Sequence, residues 1–424
     1  MNMIKVMKYQ IIKPMDIDWD TFGDILHELQ RETRTALNKT IQLTWEYSGF
    51  SAEYNKIHGV YPTSKKVLDY SSLHGYAYDR LKSECRKLNT ANLSQSIKRA
   101  SDKWKVDLKE LLRGNKSIPS FRKDMPIDVV SIALKINKQY NENILEIRLL
   151  SKEYRQQLER KKCSFNVLIH SGEKSKQNIL DRLRIGEYKL GVSQILYHKK
   201  KWFINITYQF ESEVKPLDPN SIMGIDLGIS NAVYMAFNQG LYRYKIAGGE
   251  IEQFRKQIER RRRDLLVQSK YAGEGRSGHG TKTKIAPIEV LSERAKNFKD
   301  TINHKYARYV VDMAVKHHCG TIQMEDLTGI REQNTFLANW PYFDLQEKIT
   351  YKALEVGINV IKINPEYTSQ RCNLCGHIEK ENRLNQADFK CLACGLKTNA
   401  DFNAARNIAT LDIENIIIMS KTKH

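Results

Sequence analysis

The spacing of apolar positions changes character three times along the 424-residue chain. Residues 4–13 (IKVMKYQIIK) alternate as a strand does. After Asp18, Phe22, Ile25, Leu26, Leu29, Ala36, Leu37, Ile41 and Trp45 recur on one helical face, and Gly49 is expected to end that helix. A second helix is expected through HGYAYDRLKSECRKL. A third is expected from Leu93 to Arg113, with Leu93, Ile97, Ala100, Trp104, Leu108 and Leu111 inward and Gly114 closing it. Trp45 and Trp104 are read as core residues rather than base-stacking groups. From 118 to 210 the period falls to two. VSIALKIN, ILEIRLLS, CSFNVLIHS and KWFINITYQF predict a small β-barrel or curled sheet, which the first strand can join. HKKK at 198–201 falls at a hairpin turn, either a solvated turn or a phosphate contact.

Residues 211–220 (ESEVKPLDPN) carry two prolines and read as a linker. Beyond them the pattern is α/β. IMGIDLGIS, NAVYMAF and YRYKIAG predict three meandering strands, followed by a charged helix (EIEQFRKQIERRRRDLLVQ) and a mobile loop at YAGEGRSGHGTKTK. Helix 288–317, strand TIQMED, helix NWPYFDLQEKITYKALEVG and strand NVIKIN complete the series. Three antiparallel strands followed by alternating helix and strand is the order of an RNase H-like fold.

Composition narrows the partner. The chain carries a net charge of +20, and residues 51–200 hold 31 basic against 16 acidic side chains. A polyanion is the expected partner; a basic but inert solubility surface is the bland alternative. Twenty-one tyrosines and five tryptophans favour nucleic acid, because rings stack on bases while Lys and Arg hold phosphates. Seven cysteines, four of them clustered, form no disulfide framework, which points to a reducing compartment. The N-terminus reads as no signal peptide, and no run of about 18 apolar residues predicts a membrane span.

The chemistry lies in the last half. Cys372 and Cys375 form one CxxC knuckle, and Cys391 and Cys394 form a second after fifteen intervening residues. That spacing reads as a zinc ribbon whose four thiolates leave a tetrahedral Zn²⁺ no open position, so the metal is structural. Asp226 lies between apolar residues in IMGIDLGIS, Glu325 ends the strand TIQMED, and Asp401 opens a helix in NADFNAARNI. An acid inside an apolar strand is unfavourable without a partner, and a metal ion is such a partner. Phosphodiester cleavage by two Mg²⁺ ions needs acids distant in sequence that converge. Asp326 is the rival to Glu325, since alternation lets only one face the site. Taken singly, each acid has a plainer reading: a turn cap, a strand-end charge, or a helix-dipole charge. Arg383, inside the ribbon, is either a clamp on the scissile phosphate or a solvent-exposed cation.

GIDLG, QMEDL, YKALEVGINVIKINPEYTSQRCNLCG, CLACG and ADFNAARNIA together resemble the RuvC–zinc-ribbon half of type V CRISPR effectors and their transposon-encoded OrfB-type relatives. NLSQSIKRA and HGYAYDRLK, with the small size, resemble the miniature subtype V-F effectors. The resemblance implies a multidomain α+β chain: a wedge β-barrel (1–17 and 117–210) with an inserted helical recognition domain (18–116), a linker (211–221), a RuvC domain (222–366 and 399–424), and a zinc-ribbon target-nucleic-acid-binding domain (367–398). It implies Asp226, Glu325 and Asp401 as Mg²⁺ ligands, the four cysteines as the zinc site, and Arg383 as a catalytic arginine. The implied activity is RNA-guided endonuclease cleavage in prokaryotic, cytoplasmic CRISPR defence. Guide RNA pairs with the target strand beside a T-rich flank, and one site cuts both DNA strands. Double-stranded and single-stranded target DNA and a homodimer on one guide RNA are the implied partners. A monomeric OrfB-type nuclease and a nuclease-inactive nucleic-acid-binding protein are the alternatives. Tyr76, Lys98, Arg99 and Lys103, along the basic helical region, are candidate nucleic-acid contacts.

Overall fold

The structure is a computed structural model that describes residues 2–421 except 141, 213, 229–230, 271–280, 328–341 and 386. The chain divides into two compact units, residues 2–211 and 212–424. The loop expected at 271–284 and the start of the helix expected at 339–357 fall largely or partly outside the described residues.

The first unit opens with β1 (Asn2–Pro14), followed by α1 (Trp19–His58), α2 (Ser64–Leu68), α3 (Leu73–Leu81) and α4 (Thr90–Leu112). Then come β2 (Ile127–Val129), β3 (Leu134–Gln139), β4 (Glu142–Arg148), α5 (Lys152–Gln157), β5 (Ser164–His170), α6 (Lys174–Arg184), β6 (Lys189–Leu190), β7 (Ser193–His198) and β8 (Lys201–Glu211). The sheet order is β2-β7-β8-β1-β5-β4-β3, with β6 on β8. Thus β1 sits between β8 and β5, and α1–α4 are inserted after the first strand. Tyr9, Ile11, Phe22, Leu26, Leu29, Leu93, Ile97, Phe165 and Ile204 share one buried core.

Several expectations change here. The described pairings form an open path and do not close a barrel. Helix α1 passes through Gly49 and ends at Gly59, whose φ of 71° suits glycine and whose N–H bonds the Asn55 carbonyl at 2.8 Å. Trp45 falls outside the core and is 52% exposed, whereas Trp104 is buried between α1 and α4. The helix expected through Leu88 stops at Leu81, and α6, unforeseen, buries Leu180.

The second unit holds β9 (Asp218–Asp226), β10 (Asn231–Phe237), β11 (Arg243–Ala247), α7 (Gly249–Lys270), α8 (Thr281–Lys316), β12 (Cys319–Glu325), α9 (Tyr342–Glu355) and β13 (Asn359–Ile363). The small hairpin β14 (Asp388–Lys390) and β15 (Lys397–Asn399) precedes α10 (Ala400–Ile408) and α11 (Ile413–Lys421). The main sheet runs β11-β10-β9-β12-β13. β10 is antiparallel to both β9 and β11, while β12 is parallel to both β9 and β13. The residues expected as linker extend into β9, because Asp218 already pairs with Cys319. Among the described residues, no helix is long and apolar enough to cross a membrane.

Candidate active site

Strand parity decides which residues meet. In β9, Met223 and Ile225 enter the core formed with α8 and α9, so Gly224 and Asp226 face the other side, where α10 packs. There is no room for a side chain at Gly224. A Cβ there would stand 2.1 Å from the Ala405 carbonyl oxygen and 2.4 Å from the Ala409 nitrogen, both backbone atoms of α10 or its C-cap. In β12, Ile322 and Met324 enter the same core, which turns Gln323 and Glu325 toward α10. The Gln323 amide nitrogen, oriented toward the carbonyls of Ile408 and Thr410, tethers the end of that helix. Met324 lies opposite Ile225 in parallel register, so Asp226 and Glu325 end adjacent strands side by side. Asp326 has the opposite parity, and its N–H bonds the Ile363 carbonyl at 2.7 Å. Asn399 caps α10 by accepting from the Phe402 N–H at 3.0 Å, which places Asp401 in the first turn.

These elements open on one cavity of about 220 Å³ lined by Asp226, Glu325, Arg383, Asp401, Thr368 and their neighbours. Burial raises the Asp226 carboxyl well above the usual carboxylate range, the charges of Glu325 and Asp401 push it further, and Arg383 opposes the rise. Burial also raises Glu325, against the lowering influence of a Thr368 hydrogen bond and of Arg383. Crowded carboxylates with a single cation among the cavity's lining residues are a donor set that demands more positive charge. Hard oxygen ligands of this kind suit Mg²⁺.

Two of the three acids are held by neutral side chains that sequence reasoning missed. The Thr368 hydroxyl donates to Glu325 Oε1 at 2.6 Å, and the Asn231 amide donates to Asp401 Oδ2 at 2.7 Å. Neither residue belongs to a spacing pattern; both are found only when the chain is folded. Tyr342 donates to the Gly228 carbonyl at 2.8 Å, fixing the turn after Asp226.

Helix α10 also carries the ribbon. The Asn407 amide donates to the carbonyls of Thr368 and Arg371, at 2.9 and 2.6 Å, and the Asn403 amide donates to the Arg371 carbonyl at 2.8 Å. Both asparagines are fully buried, so their amides serve the backbone that leads into the first knuckle. The two knuckles are built alike. Gly376 and Gly395, at φ 81° and 73°, follow the second cysteine of each pair and donate their N–H to the carbonyl of the first, both at 3.0 Å. The result brings all four sulfurs within 4.8 Å of one another, a cluster that can hold a zinc ion. Among the described residues only these thiols draw in so closely; the three acids share a cavity at wider spacing.

The candidate nucleic-acid contacts fare differently. Arg99 bonds the buried Asp128 at 3.1 Å, and Lys103 bonds Asp107 at 2.6 Å, so both cations already serve acids of their own unit. Tyr76 is half-buried, packed edge-on against Tyr70 with Arg80 over its face. Lys98 is exposed, with no ion pair among the described residues.

Residues 342–408, which span α9 through α10, match the family described as Cas12f1-like, TNB domain. The chain is 52% identical over 423 residues to the CRISPR-associated endodeoxyribonuclease Cas12f1 of Sulfoacidibacillus thermotolerans, covering 99% of this chain and 100% of that one. It is 41% identical to Cas12f1 of Syntrophomonas palmitatica, over 77% of this chain and 73% of the other. A Cas12f1 chain solved by cryo-electron microscopy in a Cas12f1-sgRNA-target DNA complex matches the fold with a TM-score of 0.74 at 21% identity, over 96% of this chain and 99% of that one. Near-complete coverage at 52% identity, with the fold and the ribbon in agreement, assigns this chain to the Cas12f1 family of CRISPR-associated endodeoxyribonucleases.

Proposed function

We propose that this chain is a guide-RNA-directed DNA endonuclease with one RNase H-like, RuvC-type site that cuts both strands. The observation that carries the reading is the convergence of Asp226, Glu325, Asp401 and Arg383 on one cavity at the C-terminal ends of two adjacent parallel strands. The strand order β11-β10-β9-β12-β13, with three antiparallel strands first, supports the RNase H-like assignment. Asp226, Glu325 and Asp401 would hold Mg²⁺, which when bound supplies an activated water and stabilises the leaving oxygen. Thr368 and Asn231 orient two of these acids. Arg383 presents a planar cation to the scissile phosphate and eases the mutual repulsion of the carboxylates. Cys372, Cys375, Cys391 and Cys394 would hold a structural zinc, and the ribbon they close would keep Arg383 at the cavity.

Guide RNA and target DNA are the partners by family, and the net charge of +20 suits both. A globule of this length has a radius of gyration of about 22 Å, whereas a heteroduplex of about 20 base pairs spans on the order of 60 Å. That mismatch supports a homodimer on one guide. The test is cleavage of a plasmid library with a randomised flank, using the chain, Mg²⁺ and its guide RNA. Guide-dependent cuts beside one enriched flank support the reading. Guide-dependent protection without cuts would reduce the chain to a binding protein.

A further inference from the structure

Beside the carboxylates lies a second cavity, of about 400 Å³, lined by Asn231, Tyr234, Arg243, Tyr244, Lys245 and Asn399. No acid lines it. Register ties it to the first. Tyr234 stands opposite Asp226 on one side and opposite Lys245 on the other, and Ala236 stands opposite both Gly224 and Arg243. Residues directly opposite on neighbouring strands share a face, so Asp226, Tyr234 and Lys245 form one row across the sheet, on the side of α10. Strands are spaced about 4.8 Å apart, which sets the Lys245 backbone about 10 Å from that of Asp226. Arg243 and Lys245 are exposed, and no carboxylate among the described residues pairs with either. Arg243 is steadied on the face of Phe402, 5.5 Å from the ring centre, one residue beyond Asp401. Asn231 belongs to both places: it lines this cavity and donates to Asp401.

We propose that Arg243 and Lys245 form a phosphate-binding subsite for the single DNA strand being cut, seating the backbone one to two nucleotides from the scissile bond. The proposal rests on the nuclease reading of the neighbouring cavity. Two unpaired cations on the edge strand draw the strand's phosphates across the sheet, and the row through Tyr234 leads it to the acids. Pairing with the guide, not this subsite, supplies the affinity for the target, so its loss slows cutting without weakening binding.

The test uses the full chain with guide RNA and Mg²⁺ on a target duplex, comparing wild type, R243A/K245A, the charge-keeping R243K/K245R, and Asp226→Ala. Guide-dependent binding and single-turnover cutting are followed from about 50 to 200 mM salt. Each phosphate contact on a single strand contributes about 0.7 to the salt slope, so two contacts make wild-type cutting fall about 7-fold more than that of R243A/K245A across this range. At low salt R243A/K245A cuts about tenfold more slowly than wild type, binds target equally, and recovers when charge is kept. Wild-type rates and salt slope in R243A/K245A overturn the subsite, as does a slow rate with an unchanged slope that R243K/K245R fails to restore. Asp226→Ala reports on the underlying reading separately: if it cuts, the carboxylate assignment fails whatever the subsite variants do.

Discussion

Replacing Gly224 by alanine adds one methyl group far smaller than any ligand, yet it strikes the joint on which the site depends. The new Cβ would meet the Ala405 oxygen at 2.1 Å and the Ala409 nitrogen at 2.4 Å, where ordinary contact begins at 3.4 Å. Both atoms are backbone, so no side chain can swing aside; α10 must retreat from β9 by roughly 1 Å or more. Overpacking of this kind costs about 1–3 kcal/mol, and in a unit of this size each kcal/mol lowers the melting temperature by about 2–4 °C. The larger effect is on chemistry. Asp401 rides on the displaced helix while Asp226 and Glu325 stay on the sheet, and a 1 Å misplacement of a reacting group can reduce a rate about 100-fold. Single-turnover cutting by the guide complex, measured beside target binding and thermal unfolding, should show a loss of about two decades in rate, a modest fall in melting temperature and retained binding. Gly249→Ala is the comparison, since a Cβ there would meet nothing within 4 Å. A Gly224→Ala protein that cuts and melts like wild type would refute the packing of α10 on β9 as the device that sets the acids.

Three further outcomes follow from named contacts. Asp226 is more easily protonated in the folded chain than in the unfolded one, so the folded chain binds more protons and its stability declines as pH rises through and above the ordinary carboxylate range. Asp226→Asn should therefore raise the melting temperature of chelator-treated protein at neutral pH while abolishing cutting; a lower melting temperature would contradict the repulsion. Cys391→Ser leaves three thiolates where tetrahedral zinc needs four, so metal analysis should find the zinc lost and calorimetry a weakened C-terminal transition. Arg99→Ala strands Asp128, a carboxylate 1% exposed, with Gln194 and Ser96 as its remaining side-chain donors among the described residues. The expected result is a stability loss of up to about 3 kcal/mol, largely relieved in Arg99→Ala/Asp128→Asn. Unchanged stability with weakened RNA binding would return Arg99 to the nucleic-acid interface.

What could be read in advance divides along physical lines. The acids and cysteines were legible because their chemistry is unfavourable elsewhere: a carboxylate among apolar strand residues needs a partner, and two CxxC knuckles have few other uses. The choice of Glu325 over Asp326 needed the facing of Ile322 and Met324, because parity has no sign until the core is known. Thr368 and Asn231 were illegible because each acts through a partner 43 or 170 residues away. Trp45 was misread because helical periodicity says which residues share a face, not how far along a 40-residue helix the core extends. The Arg99–Asp128 pair was illegible for a related reason, since a basic helical face looks alike whether water or a buried carboxylate lies opposite. A strand count, likewise, cannot say whether β2 and β3 meet; the described pairings leave the sheet open.

The most direct measurement is strand-resolved cutting of one guide-matched duplex by wild type, Asp226→Ala, Glu325→Gln and Asp401→Ala, each shown to bind the target. One shared cavity predicts that every variant loses cutting of both strands together while binding persists. A variant that still cuts either strand at the wild-type rate would contradict a single three-acid site.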